Sequence, residues 1–178
     1  MKLSVYYVDA FTDKLFSGNP AAVIFSDLTD TLTMQNIAAE NNLSETAFIR
    51  EEGGIYYIRW FAPSCEIDLC GHATLASAYT YFNFINPGST EFEVHSKKNG
   101  SLKVTLENDF LYLDFPSDSI TPLNADLIEK IIGIEPFEIY QGRDDILAIV
   151  NSETMVRNLE IDFELLKKIN VRGLIVSA

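Results

Sequence analysis

The stretch RWFAPSCEIDLCGHATLASAYTYF, residues 59–82, decides the fold. It reads as a strand ending at Cys70, a turn through Gly71 and His72, and then a helix. From Ala73 to Ile85 the sequence ATLASAYTYFNFI holds no charged residue, and a helix apolar on nearly every side is one that the rest of a domain surrounds. Only the ends of such a helix stay accessible. Its N-terminus carries unpaired N–H groups and the positive pole of the helix dipole, so the surface at Gly71 and His72 suits an anion or a group developing negative charge.

Outward from this stretch the chain reads mostly as strands. Residues 2–10 and 21–25 are strands on either side of the loop LFSGNP, which Pro20 confines. Thr33 as N-cap, with Met34, Ile37 and Ala38 at helical spacing, predicts a helix that runs out in Asn41 and Asn42. Two apolar runs, 46–50 and 55–61, flank Glu51-Glu52-Gly53-Gly54 and predict a hairpin leading into the central stretch. After the Pro87-Gly88 break, strands near 90–96, 101–107 and 110–115 form a meander with a turn at Asn99-Gly100. Strands before and after one apolar helix predict an α+β fold in which a sheet curls around that helix.

Beyond Pro116 the pattern changes. Leu123, Leu127, Ile128, Ile131 and Ile132 form a one-sided stripe closed by Gly133, which predicts a surface amphipathic helix. Strands near 137–141 and 145–150 follow, then a helix capped by Asp162 with Ile161, Leu165, Leu166 and Ile169 on one face, then GLIVSA as a strand. Two lobes are expected. The first is 1–116, with its central helix near 72–86; the second begins at 117–178 and lacks a central helix of its own.

Composition narrows the function classes. Asp plus Glu total 26 against 13 Lys plus Arg, a net charge of −13, which leaves no basic stripe for a phosphate backbone and argues against a nucleic-acid partner. No apolar run is long enough for a membrane span, and MKLSVYYVDAF alternates like a strand, so no membrane partner and a cytoplasmic location are expected. Cys65, Cys70 and the two histidines match neither a disulfide framework nor a zinc spacing, so reduced thiols and no metal are expected.

Few residues are placed to carry chemistry. Glu45, between Ser44 and Thr46 and close to Phe48, would gain acid–base character from partial desolvation, although a lone glutamate is more often solvated. His72 at the helix start is disfavoured as a cation by the dipole and suits a neutral hydrogen-bond donor, or else a helix-terminal packing residue. Cys70, just before the helix, reads either as an activated thiol or as a buried small hydrophobe, the commoner case. Glu66 and Asp68 share a face if their segment is extended, which points first to a solvated face, and His95 reads as surface.

Four strings, VDAF at 8–11, FSGNPAAVIF at 16–25, NLSETAF at 42–48 and DLCGHATLASAY at 68–79, together resemble the PhzF family of phenazine biosynthesis-like isomerases. The resemblance implies a diaminopimelate epimerase-like fold of two pseudo-symmetric lobes, each a curled sheet around a central helix, with the active site between the helix N-termini. It implies that Glu45 is the catalytic carboxylate, that Gly71 and His72 line the substrate site, that no cofactor or metal is used, and that the protein is a homodimer. The expected activity moves a proton between carbons of a small carboxylated metabolite, with Glu45 as general acid and base. Two alternatives stand beside it. One is a cofactor-independent epimerase or racemase using Cys70, whose partner thiol would have to follow Cys70, where the sequence has no cysteine. The other is a non-catalytic truncated lobe that binds a partner, since the family's second-lobe helix and its Asp-, Pro-, Gly- and Ser-rich loop do not appear before Ala178.

Overall fold

The structure, a computed structural model, describes residues 2–124 and 126–178. The chain divides into two compact units, Met1–Pro116 and Ser117–Ala178.

In the first unit, β1 (Tyr6–Ala10) and β2 (Asn19–Phe25) pair antiparallel, and α1 (Thr31–Asn41) crosses to β3 (Glu45–Glu52), which lies parallel to β2. A hairpin joins β3 to β4 (Ile55–Phe61), followed by the short β5 (Glu66–Ile67) and the central helix α2 (Gly71–Thr80). The meander is β6 (Glu91–Ser96), β7 (Gly100–Glu107) and β8 (Phe110–Asp114). Together these make one eight-stranded sheet in the order β1-β2-β3-β4-β6-β7-β8, with β5 on β4. Helix α2 packs on β1, β2 and β3 from one side of the order and on β8 from the other, so the sheet curls around it.

The composition of α2 explains how strands come so close. Ala73, Ala76 and Ala78 are fully enclosed among Trp60, Phe92 and Val104. The polar residues of the helix are buried too, but each hydroxyl is satisfied locally: Thr74 donates to the Cys70 carbonyl at 2.6 Å, Ser77 to Ala73 at 2.6 Å and Thr80 to Ala76 at 2.9 Å. Such back-bonding removes the penalty of an unpaired buried hydroxyl. The helix expected near 72–86 is α-helical only to Thr80. Tyr81–Ile85 form a π-helical turn, closed by the Asn86 N–H donating to the Tyr81 carbonyl at 2.8 Å. In this turn Tyr81 stacks on Phe92 with ring centroids 4.4 Å apart.

Helix α1 covers the opposite face of the sheet, where Met34 and Ala38 meet Ile24, Phe48 and Phe61. Its N-cap is Asp30 and not Thr33: both the amide and the hydroxyl of Thr33 donate to Asp30 Oδ2, at 2.8 and 2.6 Å. A threonine at the third helical position thus serves as the donor of the cap. Asn42 ends the helix in the left-handed region at φ 50°. The strand expected to run to Cys70 is only Glu66–Ile67, the two residues that pair with Phe61 and Trp60 of β4; Arg59 binds both Glu66 carboxylate oxygens, at 2.7 and 2.8 Å, and Lys98 binds Asp68 at 2.7 Å.

In the second unit, β9 (Thr121–Pro122), β10 (Glu138–Gln141), β11 (Asp145–Ile149) and β12 (Gly173–Ser177) form a sheet in the order β12-β11-β10-β9, with β11 and β12 parallel. Helix α3 (Asp126–Ile132) buries Ile128, Ile131 and Ile132 against Ile146 and Ala148, and Gly133 follows at φ 73°. A short α4 (Glu153–Arg157), capped by Ser152, was not visible in the apolar pattern because it buries no residue completely. The last helix is the single turn α5 (Phe163–Leu166), and Asp162 caps it by accepting from the Leu165 amide at 2.9 Å.

Candidate active site

Glu45 is the first residue of β3, and the parallel register sets it beside Ala21 of β2. The left-handed turn at Asn42 brings the chain from α1 into that position. Asn41 holds the junction by donating to Thr46 Oγ1 at 3.1 Å while accepting from the Tyr7 hydroxyl at 3.1 Å. Just upstream of β2 the loop at residues 16–18 has one rigid requirement. Gly18 sits at φ 80°, and a Cβ there would lie 2.3 Å from the Ala10 carbonyl oxygen.

His72 is the second residue of α2, and Cys70 is its N-cap residue. Gly71 between them is packed under the Phe115 ring, whose nearest atom lies 3.1 Å from where a Cβ would stand. The helix start and the start of β3 bring three expected residues together. His72 Nε2 lies 3.1 Å from Glu45 Oε2, with side-chain exposures of 10 % and 16 %. On the other side of the ring, Nδ1 lies 3.4 Å from the Cys70 sulfur. Despite their proximity, Nε2 and Oε2 are not aligned for a hydrogen bond, and both are buried without a partner among the described residues.

Burial shifts the titration of all three groups. It pushes the Glu45 carboxyl up, against the nearby Cys70 thiol, which favours the carboxylate. It pushes the His72 imidazole down, against the Pro20 carbonyl, which favours the protonated ring. It pushes the Cys70 thiol up to about 12, so at neutral pH the residue is a thiol and not a thiolate. An activated Cys70 nucleophile therefore has no support in this geometry. Cys65 is exposed, and His95 lies beside Glu93 at 3.6 Å on the surface.

Glu45, Cys70 and His72 also hold their ligating atoms within 4.8 Å of one another, close enough to surround a metal ion. The arrangement fits an ion poorly, because the two near contacts use different nitrogens of one ring, of which an ion takes only one. Two surface grooves, of about 250 and 420 Å³, lie away from this cluster and include none of its three residues. Glu45, Gly71 and His72 are the site residues that the sequence singles out, and the fold adds Pro20, whose carbonyl faces the His72 ring, and Phe115, which covers Gly71. Both lie far along the chain from the residues they meet, so no local pattern marks them.

The described helices include none long and apolar enough to cross a membrane. A family model described as phenazine biosynthesis-like protein, PhzC-PhzF, matches residues 8–178. An uncharacterized isomerase of Pseudomonas aeruginosa is 42 % identical over all of this chain and 69 % of its own length. A phenazine biosynthesis-like domain-containing protein of Homo sapiens is 36 % identical over 99 % of this chain and 69 % of its own. Among solved structures, a PhzF family protein of Enterococcus faecalis superimposes with a TM-score of 0.87 at 41 % identity, covering 99 % of this chain and 68 % of that one. A protein described as a predicted epimerase from Pseudomonas aeruginosa, at 16 % identity and TM-score 0.71, shares the fold, with 98 % of this chain and 70 % of its own covered. With its curled sheet around one apolar helix and its match over nearly the whole sequence, this chain belongs to the PhzC-PhzF family of phenazine biosynthesis-like proteins.

Proposed function

We propose that the chain carries the acid–base half of a PhzF-like isomerase site, which moves a proton between carbons of a small carboxylated metabolite. The observation that carries this reading is the pair of adjacent, buried and unpartnered atoms, Glu45 Oε2 and His72 Nε2, 3.1 Å apart. Buried polar atoms without partners are costly, and a site that leaves a base and a donor unpaired side by side is one whose bonds are completed by a substrate. Both titration shifts run in the useful direction: a raised carboxyl is a better proton acceptor, and a lowered imidazole is a neutral donor.

In the proposed step Glu45 takes a proton from a carbon next to a carbonyl or carboxyl group. The C–H bond breaks, its electron pair enters the conjugated system, and an O–H bond forms on Glu45. The negative charge that develops on the substrate oxygen is met by the Nε2–H of His72 at the positive end of α2. Glu45 then returns the proton to another carbon of the same system, which leaves the substrate isomerised and the enzyme unchanged. One carboxylate suits transfer along a single face of the substrate.

The test is exchange of carbon-bound hydrogen in deuterated water across a panel of small carboxylic and amino acids, followed by nuclear magnetic resonance and mass spectrometry. Wild-type protein labels at least one compound, and Glu45→Gln does not. Equal labelling by the folded Glu45→Gln protein would remove Glu45 from the mechanism. No exchange across the panel, together with saturable binding of one compound, would favour a binding role instead.

A further inference from the structure

Cys70 is the buried member of the cluster that the proposed proton transfer does not use. Its sulfur lies 3.4 Å from Nδ1 of His72, within the range of a sulfur hydrogen bond, at 7 % residue exposure. We propose that Cys70 is a positioning residue: its thiol donates to Nδ1 of His72 and so fixes the imidazole proton on Nε2, the nitrogen that faces Glu45.

The direction of the bond follows from what else surrounds the sulfur. The amides of His72 and Ala73 at the start of α2 stand on one side of Sγ without making a cap hydrogen bond to it. A neutral thiol has one proton and weak lone pairs, so with the accepting side facing amides its remaining use is as a donor. A neutral imidazole carries one donor and one acceptor nitrogen, and a partner that donates to one nitrogen leaves the proton on the other. The same logic governs histidines whose second nitrogen is held by a neighbouring group. The competing arrangement has the thiol donate to the Glu45 carboxylate, which it also approaches, while Nδ1–H donates to sulfur. That arrangement puts the bare nitrogen toward Glu45 and leaves the ring without a donor for substrate.

The catalytic consequence rests on the reading of His72 as the donor of the proton-transfer site; the tautomer itself does not, and it is measured without substrate. Uniform ¹⁵N labelling of the two histidines and two-bond nitrogen–hydrogen correlation spectra report which nitrogen is protonated, and His95→Gln identifies the His72 signals. The expected wild-type spectrum shows His72 protonated on Nε2. Cys70→Ala raises the ratio of the Nδ1–H to the Nε2–H form about five-fold, the change expected from losing one neutral hydrogen bond, and Cys70→Ser, with a hydroxyl donor, restores the wild-type pattern. A wild-type His72 protonated on Nδ1, or a folded Cys70→Ala protein with an unchanged ratio, would overturn the proposal. Because the wild-type spectrum alone decides the first point, the proposal stays testable even if Cys70→Ala does not fold. A protein that shows the Nε2–H form but exchanges no substrate would leave the positioning role intact and count only against the isomerase reading.

Discussion

Glu45 Oε2 and His72 Nε2 are neighbours at 3.1 Å that do not satisfy each other. In most folded proteins two buried groups this close would rotate into a hydrogen bond. Glu45 comes from the start of a strand and His72 from the start of a helix, and neither atom has a hydrogen-bond partner among the described residues.

Substituting Glu45 should separate chemistry from folding. Glu45→Gln keeps the size of the side chain and removes the base, so exchange on any compound that the wild type labels is expected to fall by roughly 10²–10⁴-fold. Because it also removes a carboxyl held above its ordinary range, stability at neutral pH should be unchanged or higher. Exchange rates and urea unfolding midpoints, measured on the same preparations, check both halves.

The two shifted groups give opposite dependences of stability on pH. The carboxyl of Glu45 titrates above its ordinary 4.5 in the folded protein, so its contribution is fully present below that value and is lost as pH rises through the raised one. His72 titrates below its ordinary 6.5, so its contribution is present above that value and is lost as pH falls through the lowered one. In urea titrations over roughly pH 4 to 8, Glu45→Gln should flatten the loss on the rising side and His72→Gln the loss on the falling side. The reverse pattern would contradict the burial of the pair.

Two glycines near the site should respond differently to alanine. At Gly18 the backbone is left-handed and the new Cβ would meet the Ala10 carbonyl oxygen at 2.3 Å, so strain and a backbone clash add. Gly18→Ala is expected to cost about 2 kcal/mol or more. At Gly71 the contact at 3.1 Å is with the edge of the Phe115 ring, which can move by a few tenths of an ångström. Gly71→Ala should therefore cost less than Gly18→Ala in equilibrium unfolding, with helix propensity working in its favour.

The cap of α1 offers a test away from the site. Asp30→Ala removes the acceptor of two hydrogen bonds from Thr33 and should cost about 1 kcal/mol, measured by denaturant unfolding. Thr33→Val keeps the amide bond to Asp30 and loses only the hydroxyl, so it should cost less. Equal losses would show that the hydroxyl bond carries the cap.

What was legible in the sequence was whatever a local pattern records. The absence of charge from Ala73 to Ile85 marked the buried helix, Glu51-Glu52-Gly53-Gly54 marked the hairpin, and Asp162 marked a cap that the structure contains. Glu45 was different. Its residue chemistry favoured a solvated side chain, and only the resemblance of its string raised it, because its burial comes from β2 and α2, which are distant in sequence. Thr33 was mistaken for the cap since a threonine before an apolar run fits either end of the same hydrogen bond. The π-helical turn left no trace in composition, and α4 left none in the apolar pattern.

That π-helical turn has a consequence for how the helix tolerates change in length. A π-turn holds one residue more than the α-turn it replaces, as an insertion would. Removing one residue from Tyr81–Ile85 would let the segment relax to α-helical geometry with little change in the direction of the exit at Asn86, because the π-turn already absorbs the extra residue, while the turns from Gly71 to Thr80 keep their register against the sheet. The two ends of the central helix are thus mechanically separable. The end that holds His72 is fixed by its buried hydroxyls and alanines, and at the far end, where Tyr81 and Phe82 are still core residues, the π-turn takes up a change of one residue.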